Sequence, residues 1–134
     1  MPLKLTLRPD EKVLIGTAVI TNAGQKCEII IQNTVPVLRE KDIITEENAD
    51  TIAKKIYFVI LSMYVDPDKE KEFHTIYFKL VDQLFTVCPD PSILALVMKI
   101  SQRILEGSHY QALKECKNLI KFESEVIANV PAEN

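Results

Sequence analysis

The sequence is poor in the residues that most catalytic and metal sites require. Its two histidines and three cysteines show neither HExxH nor CxxC spacing, so the sequence predicts neither a zinc site nor a redox pair. Gly16, Gly24 and Gly107 are too scattered for a phosphate-cradling loop, and no serine sits in GxSxG. Glu70 and His74 lie one helical turn apart and could share a hydrogen bond or a metal ion, but such pairs are usually surface contacts. We therefore expect no enzyme activity, no metal and no cofactor.

Long apolar runs and an excess of basic residues are also missing. The longest apolar stretch, residues 56–65, is about half of the ~20 residues that a membrane-spanning helix needs. A formal charge of −3 and a pI near 5.4 argue against indiscriminate binding to nucleic acid or to an anionic membrane, because a net negative field repels phosphates. Any site for RNA or lipid must then be a local patch. The opening MPLKLTLRPDE has no apolar run behind a basic segment, so we expect no signal peptide and a cytoplasmic location.

Strand patterns fill the N-terminal third of the chain. Residues rich in β-branched side chains alternate with turn signals in LKLTLR, KVLIGTAVIT, CEIIIQN and VPVLRE, which predicts four strands. Asn22 and Gly24 favour a hairpin between the second and third strands. Three successive isoleucines, Ile29, Ile30 and Ile31, indicate a strand covered on both faces.

After about residue 45 the apolar residues recur with the period of a helix. Three of the predicted helices begin at a suitable cap: the first at Asp50 or Thr51, the third at Asp90 and the last at Ser108. The predicted fold is α+β. A small antiparallel N-terminal sheet or barrel-like unit over residues 1–44 is docked to a bundle of about four helices over residues 45–134, in one compact domain.

A basic strand face is the first candidate binding site. Side chains alternate along a strand, so Lys4 and Thr6 share one face of the first strand with Arg8, opposite three leucines. If the strand that contains Arg39 lies beside it, these residues form a compact donor set. Such a set could grip the phosphates and base edges of a single-stranded RNA loop. The alternative is a solvated outer sheet face that its charges protect from edge pairing.

Two further binding surfaces are predicted in the helical part. A secondary basic face on the last helix carries Lys114, Lys117 and Lys121 at helical spacing, and its alternative is an ordinary solvated face. Four aromatic residues, if exposed, could instead hold an amphipathic helix of a partner protein, although a core position is typical of such residues. These are Tyr57, Tyr64, Phe78 and Tyr110.

The chain resembles the flagellum biosynthesis repressor family FlbT from Pro2 to about Ile127. Four segments stand in the order and spacing of that family: MPLKLTLRPDEKVLIGTAVITN, VLREKDII, KKIYFVILSMY and YQALKECKNLIKFE. The resemblance implies a cytoplasmic post-transcriptional regulator that binds the 5′ untranslated leader of flagellin mRNA and changes its translation or decay. The alternative is an adaptor that binds flagellin or another flagellar regulatory protein through the helical half and acts on the mRNA indirectly.

A local similarity to the carbon storage regulator family covers the N-terminal strands. In that family of small dimeric RNA binders, the first strand and an arginine-containing end strand lie side by side, often from different subunits. The similarity implies RNA-binding roles for Leu5, Thr6 and Arg8 and for Val37, Arg39 and Glu40, although Leu7 stands where the family has an arginine. Exchange of strands between subunits would give a homodimer.

Overall fold

The computed structural model describes the backbone of residues 2–129 and the side chains of residues 2–126. Residue 1 of the predicted strand-rich part and residues 130–134 of the predicted helical part lie outside the described residues. The chain divides between residues 43 and 44 into two compact units, which we call the strand unit and the helical unit. The architecture confirms the predicted α+β class, with antiparallel strands followed by four α-helices.

The strand unit contains two small antiparallel sheets. Its strands are β1 (Leu3–Leu7), β2 (Lys12–Ile15), β3 (Ala18–Thr21), β4 (Cys27–Ile31) and β5 (Val37–Arg39). β1 pairs with β4, and β2 lies between β3 and β5. A 3₁₀ turn, Glu40–Asp42, follows β5.

The predicted second strand is wrong in its extent, because KVLIGTAVIT forms two strands. Gly16, with φ of 63°, adopts the left-handed conformation that a tight turn requires, so the chain reverses between β2 and β3. The predicted hairpin at Asn22 and Gly24 is also wrong, since this segment connects β3 to β4 in the other sheet. The Asn22 side-chain amide instead donates to the carbonyl oxygens of Leu7, Arg8 and Gln25.

The apolar core of the strand unit is small. Leu5, Leu7 and Val13 are buried together, and partly buried residues pack against them, namely Ile15, Ile29, Ile31 and Val37. The prediction that β4 is covered on both faces is wrong, because the Ile30 side chain is 57% exposed. β4 therefore buries one face only, as expected for an antiparallel strand.

The helical unit contains α1 (Ile52–Val65), α2 (Glu70–Val87), α3 (Pro91–Leu105) and α4 (His109–Asn129). Two of the predicted caps are confirmed by hydrogen bonds. The Thr51 side chain accepts from the Lys54 N–H at 3.2 Å, and the Asp90 carboxylate accepts from the Ser92 N–H at 2.8 Å. Within residues 2–129 no helix is both long and apolar enough to cross a membrane.

The core of the helical unit draws on all four helices. Ile56, Ile60 and Met63 of α1 are fully enclosed, and each other helix adds side chains that are almost as deeply buried. These are Leu84 of α2, Ile93 and Ile100 of α3, and Leu113 and Leu119 of α4. Burial of one apolar stripe per helix is what holds such a bundle together.

Two side chains of α4 bind the peptide groups of Ala53 in the first turn of α1. The Glu123 carboxylate accepts from the Ala53 N–H at 3.0 Å, and the Cys116 thiol donates to the Ala53 carbonyl oxygen at 3.7 Å. Burial raises the pKa of the Cys116 thiol. Cys116 is thus a structural thiol that is fully buried.

Candidate nucleic-acid interface

The outer face of β1 carries the polar residues that the alternation predicts. Leu5 and Leu7 are buried, whereas Lys4 and Thr6 are exposed. Antiparallel pairing places Thr6 opposite Glu28 of β4, so a carboxylate stands on the same exposed face. This face is therefore mixed in charge.

Lys4 is paired with that carboxylate. Its Nζ atom lies 2.8 Å from Glu28 Oε2, and both side chains remain well exposed to solvent. An exposed pair of this kind adds little to stability and is open to competition from other ions. A phosphate oxygen arriving at Lys4 would have to displace Glu28.

Arg39 connects β5 to β1, although no backbone ladder joins the two strands. β5 pairs with β2, with Arg39 opposite Val13. The Arg39 side chain then donates from Nη1 to the Thr6 carbonyl oxygen at 3.2 Å. The structure thus brings Arg39 and Thr6 together by a side-chain contact.

Glu11 completes this contact, and the sequence analysis missed it. Its Oε2 accepts from Arg39 Nη1 at 3.2 Å, and its Oε1 accepts from the Arg8 N–H at 2.9 Å. The Arg8 backbone N–H lowers the pKa of the Glu11 carboxyl, desolvation opposes this, and the Arg39 charge adds to the lowering. The sequence offers one signal for this role of Glu11. Its carboxylate comes directly after the Pro9 turn, three residues from Arg8, where it can fold back onto the end of β1.

A shallow surface cavity of about 660 Å³ lies beside this contact. Its walls carry three cations and three carboxylates, so they have no net charge: Arg8, Arg39 and Lys41, and Asp10, Glu11 and Glu40, with Pro9. Binding of an RNA loop in this cavity would therefore depend on the direction of individual hydrogen-bond donors, since the cavity has no net positive charge to attract phosphates. A planar guanidinium suits that task better than a point charge.

The other residues predicted for this site differ in their contacts. Lys4 is not part of the cavity wall. Val37 packs against the apolar core of the strand unit. Glu40 accepts a hydrogen bond from the Lys12 backbone N–H through Oε1, at 3.3 Å. Of the predicted residues, Arg8, Arg39 and Glu40 line one cavity, and Thr6 is joined to it through Arg39.

The secondary basic face lies on α4, in the helical unit. Lys114, Lys117 and Lys121 are all exposed. The Lys114 ammonium lies 4.9 Å from the centre of the Tyr110 ring, within the range of a cation–π contact. Lys114 is thus held against its own helix.

The aromatic residues proposed for a protein partner do not share one environment. Tyr57 is buried in the bundle, the core position that is typical of such residues, so it is not part of a docking surface. Tyr64 and Tyr110 are half-buried and face each other with ring centres 6.3 Å apart. Phe78 alone of these four is largely exposed, at 64%.

The Glu70 and His74 pair is present, and a second histidine joins it. His74 Nε2 lies 2.9 Å from one Glu70 oxygen, and His109 Nε2 lies 3.0 Å from the other. Spacing along the sequence did not predict His109, because it belongs to another helix. Among the side chains of residues 2–126, no group of three or more His, Cys, Asp or Glu is arranged to hold a metal ion.

Comparison with known proteins assigns the family. The model of the family described as flagellar protein FlbT matches residues 3–127. The chain belongs to the FlbT family. The FlbT resemblance seen in the sequence is thereby confirmed.

Several FlbT relatives align along most of this chain. A protein named probable flagellum biosynthesis repressor protein FlbT 1, from Bradyrhizobium diazoefficiens, is 39% identical over 94% of this chain and 85% of its own. A FlbT protein of Rhodopseudomonas palustris is 37% identical over 96% of this chain and 99% of its own. The flagellum biosynthesis repressor protein FlbT of Caulobacter vibrioides is 33% identical over 97% and 92%. No solved structure matches the chain.

Proposed function

We propose that this chain regulates flagellum biosynthesis in the cytoplasm by binding the 5′ untranslated leader of flagellin mRNA and repressing its use. The chain belongs to the FlbT family, and its relatives are named as flagellum biosynthesis repressors or probable repressors. Both findings support a role in flagellar regulation. The similarity of the N-terminal strands to the carbon storage regulator family supports RNA as the ligand.

The single observation that carries the site is the position of Arg39. Its guanidinium reaches from β5 to the Thr6 carbonyl oxygen and lines the same cavity as Arg8. Two guanidinium groups at one cavity can stack on unpaired bases and donate to base edges and phosphates. Single-stranded loops of a leader offer both kinds of group.

The mechanism that follows is occupancy of the leader, without hydrolysis by this protein. A bound loop is withheld from ribosomes or presented to ribonucleases, and either outcome lowers flagellin synthesis. Arg39 must exchange Glu11 for an RNA acceptor, and Lys4 must exchange Glu28. With roughly three to five phosphate contacts, log affinity should fall by about 0.7 per contact for each log unit of salt.

Fluorescence anisotropy tests this proposal. A labelled flagellin leader and a shuffled RNA of equal length are titrated with pure protein at low and moderate salt. We expect tighter, salt-sensitive binding to the leader, and Arg39→Ala should weaken it by at least about fivefold. Arg103→Ala, at an exposed arginine of α3 that is paired with Glu106, is the matched control and should bind normally.

Two results would contradict parts of the proposal. Equal binding of both RNAs, or none, argues against direct leader recognition. Normal affinity of an Arg39→Ala protein whose circular dichroism shows it to be folded argues against the assigned site.

An adaptor function is the second candidate, and exposed apolar side chains on the helical unit favour it. One face of α3 carries three exposed apolar residues, Leu94, Met98 and Leu105. They are four and then seven residues apart, which places them on the same side of a helix. Phe78 of α2 is exposed as well, and its neighbour Tyr77 hydrogen-bonds Ser101 of α3 at 2.7 Å. An amphipathic helix of flagellin or of another flagellar regulator would cover such a face.

Met98→Glu separates this function from RNA binding. The substitution puts a charge on the exposed α3 face, so it should abolish capture of a flagellin-derived helix while leader binding by pure protein is unchanged. Capture that survives Met98→Glu would contradict the adaptor site.

A further inference from the structure

The edge strand β3 is unusually open. It ends the three-stranded sheet, with β2 on one side and no strand of the described residues on the other. All four of its residues are exposed, including Val19 at 65% and Ile20 at 40%. An edge with free peptide groups and apolar side chains is a template for pairing with another strand.

The ladder fixes which peptide groups face the open side. The Asn22 N–H donates to the Glu11 carbonyl oxygen at 2.9 Å, which extends the β2–β3 pairing by one residue. Hydrogen-bonded and non-hydrogen-bonded pairs alternate in an antiparallel ladder. The backbone N–H and C=O groups of Ile20 and Ala18 therefore point towards β2, as those of the hydrogen-bonded Asn22 pair do. The N–H and C=O groups of Val19 and Thr21 therefore point to the open edge.

β3 lacks the usual protection of an edge strand. Each of the other four strands contains a charged residue, namely Lys4, Lys12, Glu28 and Arg39. No charged residue lies anywhere from Gly16 to Gln25. Charge and proline are the common devices against edge pairing, and β3 carries neither.

The core of the strand unit also ends at this edge. Val13 is fully buried, and its cross-strand neighbour Ile20 lies on the same face of the sheet. Ile20 is nevertheless 40% exposed, since nothing within the sheet follows β3. Domains below about 40 residues usually need disulfides, metals or oligomerisation for stability, and the strand unit, residues 1–43, lies close to that limit.

We infer that β3 pairs antiparallel with β3 of a second copy of this chain across a two-fold axis. Val19 then exchanges backbone hydrogen bonds with the partner's Thr21, and Ile20 lies directly opposite the partner's Ile20. The two three-stranded sheets become one continuous sheet, and the paired isoleucines extend the apolar face that Val13 begins. The uncharged edge fits its own copy because no like charges meet there.

The inference does not rest on RNA binding, and the interface is short. A pair of four-residue strands buries less surface than a standard protein interface. We therefore expect an equilibrium between monomer and dimer that depends on concentration.

Sedimentation of the full chain tests the dimer. We expect a dimer at high protein concentration, and Ile20→Lys should raise its dissociation constant by at least about fivefold, because it sets two ammonium groups opposite each other. The matched control is Ile30→Lys on β4, where Ile30 is similarly exposed, and it should leave the constant unchanged. A wild-type chain that stays monomeric throughout the range overturns the inference.

A cross-link tests the register independently of any loss of folding. Opposed residues of a non-hydrogen-bonded pair have Cα atoms about 4.5 Å apart, within reach of a disulfide. With Cys27→Ser removing the exposed thiol, Ile20→Cys should give a covalent dimer under mild oxidation, whereas Ile30→Cys should not. Equal cross-linking of the two variants overturns the assigned edge.

Discussion

The strand unit and the helical unit are stabilised in different ways. In the helical unit, apolar side chains from four helices are enclosed together, and polar contacts between helices, such as that of Glu123 with the Ala53 N–H, supplement this burial. In the strand unit the buried cluster is small, and polar side chains make many of the contacts between segments. Asn22, Glu11 and Arg39 each bond to groups on other segments. Stability in one unit depends on burial, and in the other it depends more on individual hydrogen bonds.

The largest effect is expected for a truncation in the bundle core. Ile100 is fully buried, so Ile100→Ala should lower the free energy of unfolding by about 2–5 kcal/mol. Leu7→Ala, in the smaller strand core, should fall near the lower end of that range. Urea unfolding followed by circular dichroism measures the first, and hydrogen exchange of β1 amides measures the second. Leu105→Ala, at a residue 84% exposed, should change little, and a loss as large as that of Ile100→Ala would break the comparison.

A smaller change in the free energy of unfolding is expected when the hydroxyl of Tyr77, a buried residue of the helical unit, is titrated. Burial raises the pKa of Tyr77 from 10.0 to about 12. An unfolded tyrosine ionises near pH 10, so the stability that neutral Tyr77 contributes is full below pH 10 and is lost as pH rises towards 12. The loss should amount to about 2–3 kcal/mol.

Tyr77→Phe is the control for this titration. The variant also lacks the hydrogen bond to Ser101, so it should start about 1 kcal/mol less stable at neutral pH. Its stability should fall less between pH 10 and 12 than that of the unsubstituted chain. Parallel curves for the two proteins would show that Tyr77 does not titrate as described.

The smallest effect is expected for the polar contacts of the strand unit. Glu11→Gln removes the charge that competes for Arg39, so leader affinity should rise roughly two- to fivefold. The folded-state pKa of Glu11 is lowered, so its contribution to stability is present above the ordinary value of 4.5 and is lost as pH falls below it. Glu11→Gln should remove that acid dependence. Leader binding that weakens in this variant would mean that Glu11 orients Arg39 and does not compete with RNA.

The helices were largely predictable, because their signals are local. Thr51, Asp90 and Pro91 act within one turn of themselves, and the apolar period of each helix is written in its own segment. The partners of each helix are not local, so nothing near Glu70 in the sequence pointed to His109.

Strand pairing was predicted less well, because it is decided between distant segments. Alternation in β1 correctly placed Lys4 and Thr6 outside. The same pattern could not show that Gly16 breaks one long strand, nor that β1 takes β4 as its neighbour and not β5. Glu11 was missed for a related reason. A carboxylate in a turn looks like surface charge until the fold brings an arginine beside it.

The contacts at Ala53 bear on the order in which the chain folds during synthesis. The peptide groups of this residue, in the first turn of α1, bind Cys116 and Glu123 of α4. Both partners leave the ribosome more than sixty residues after Ala53 has emerged. The first turn of α1 therefore lacks its final contacts until translation is well into α4. Every ladder of the strand unit, by contrast, closes between residues 3 and 39, so that unit can complete its sheets while the bundle is still being made.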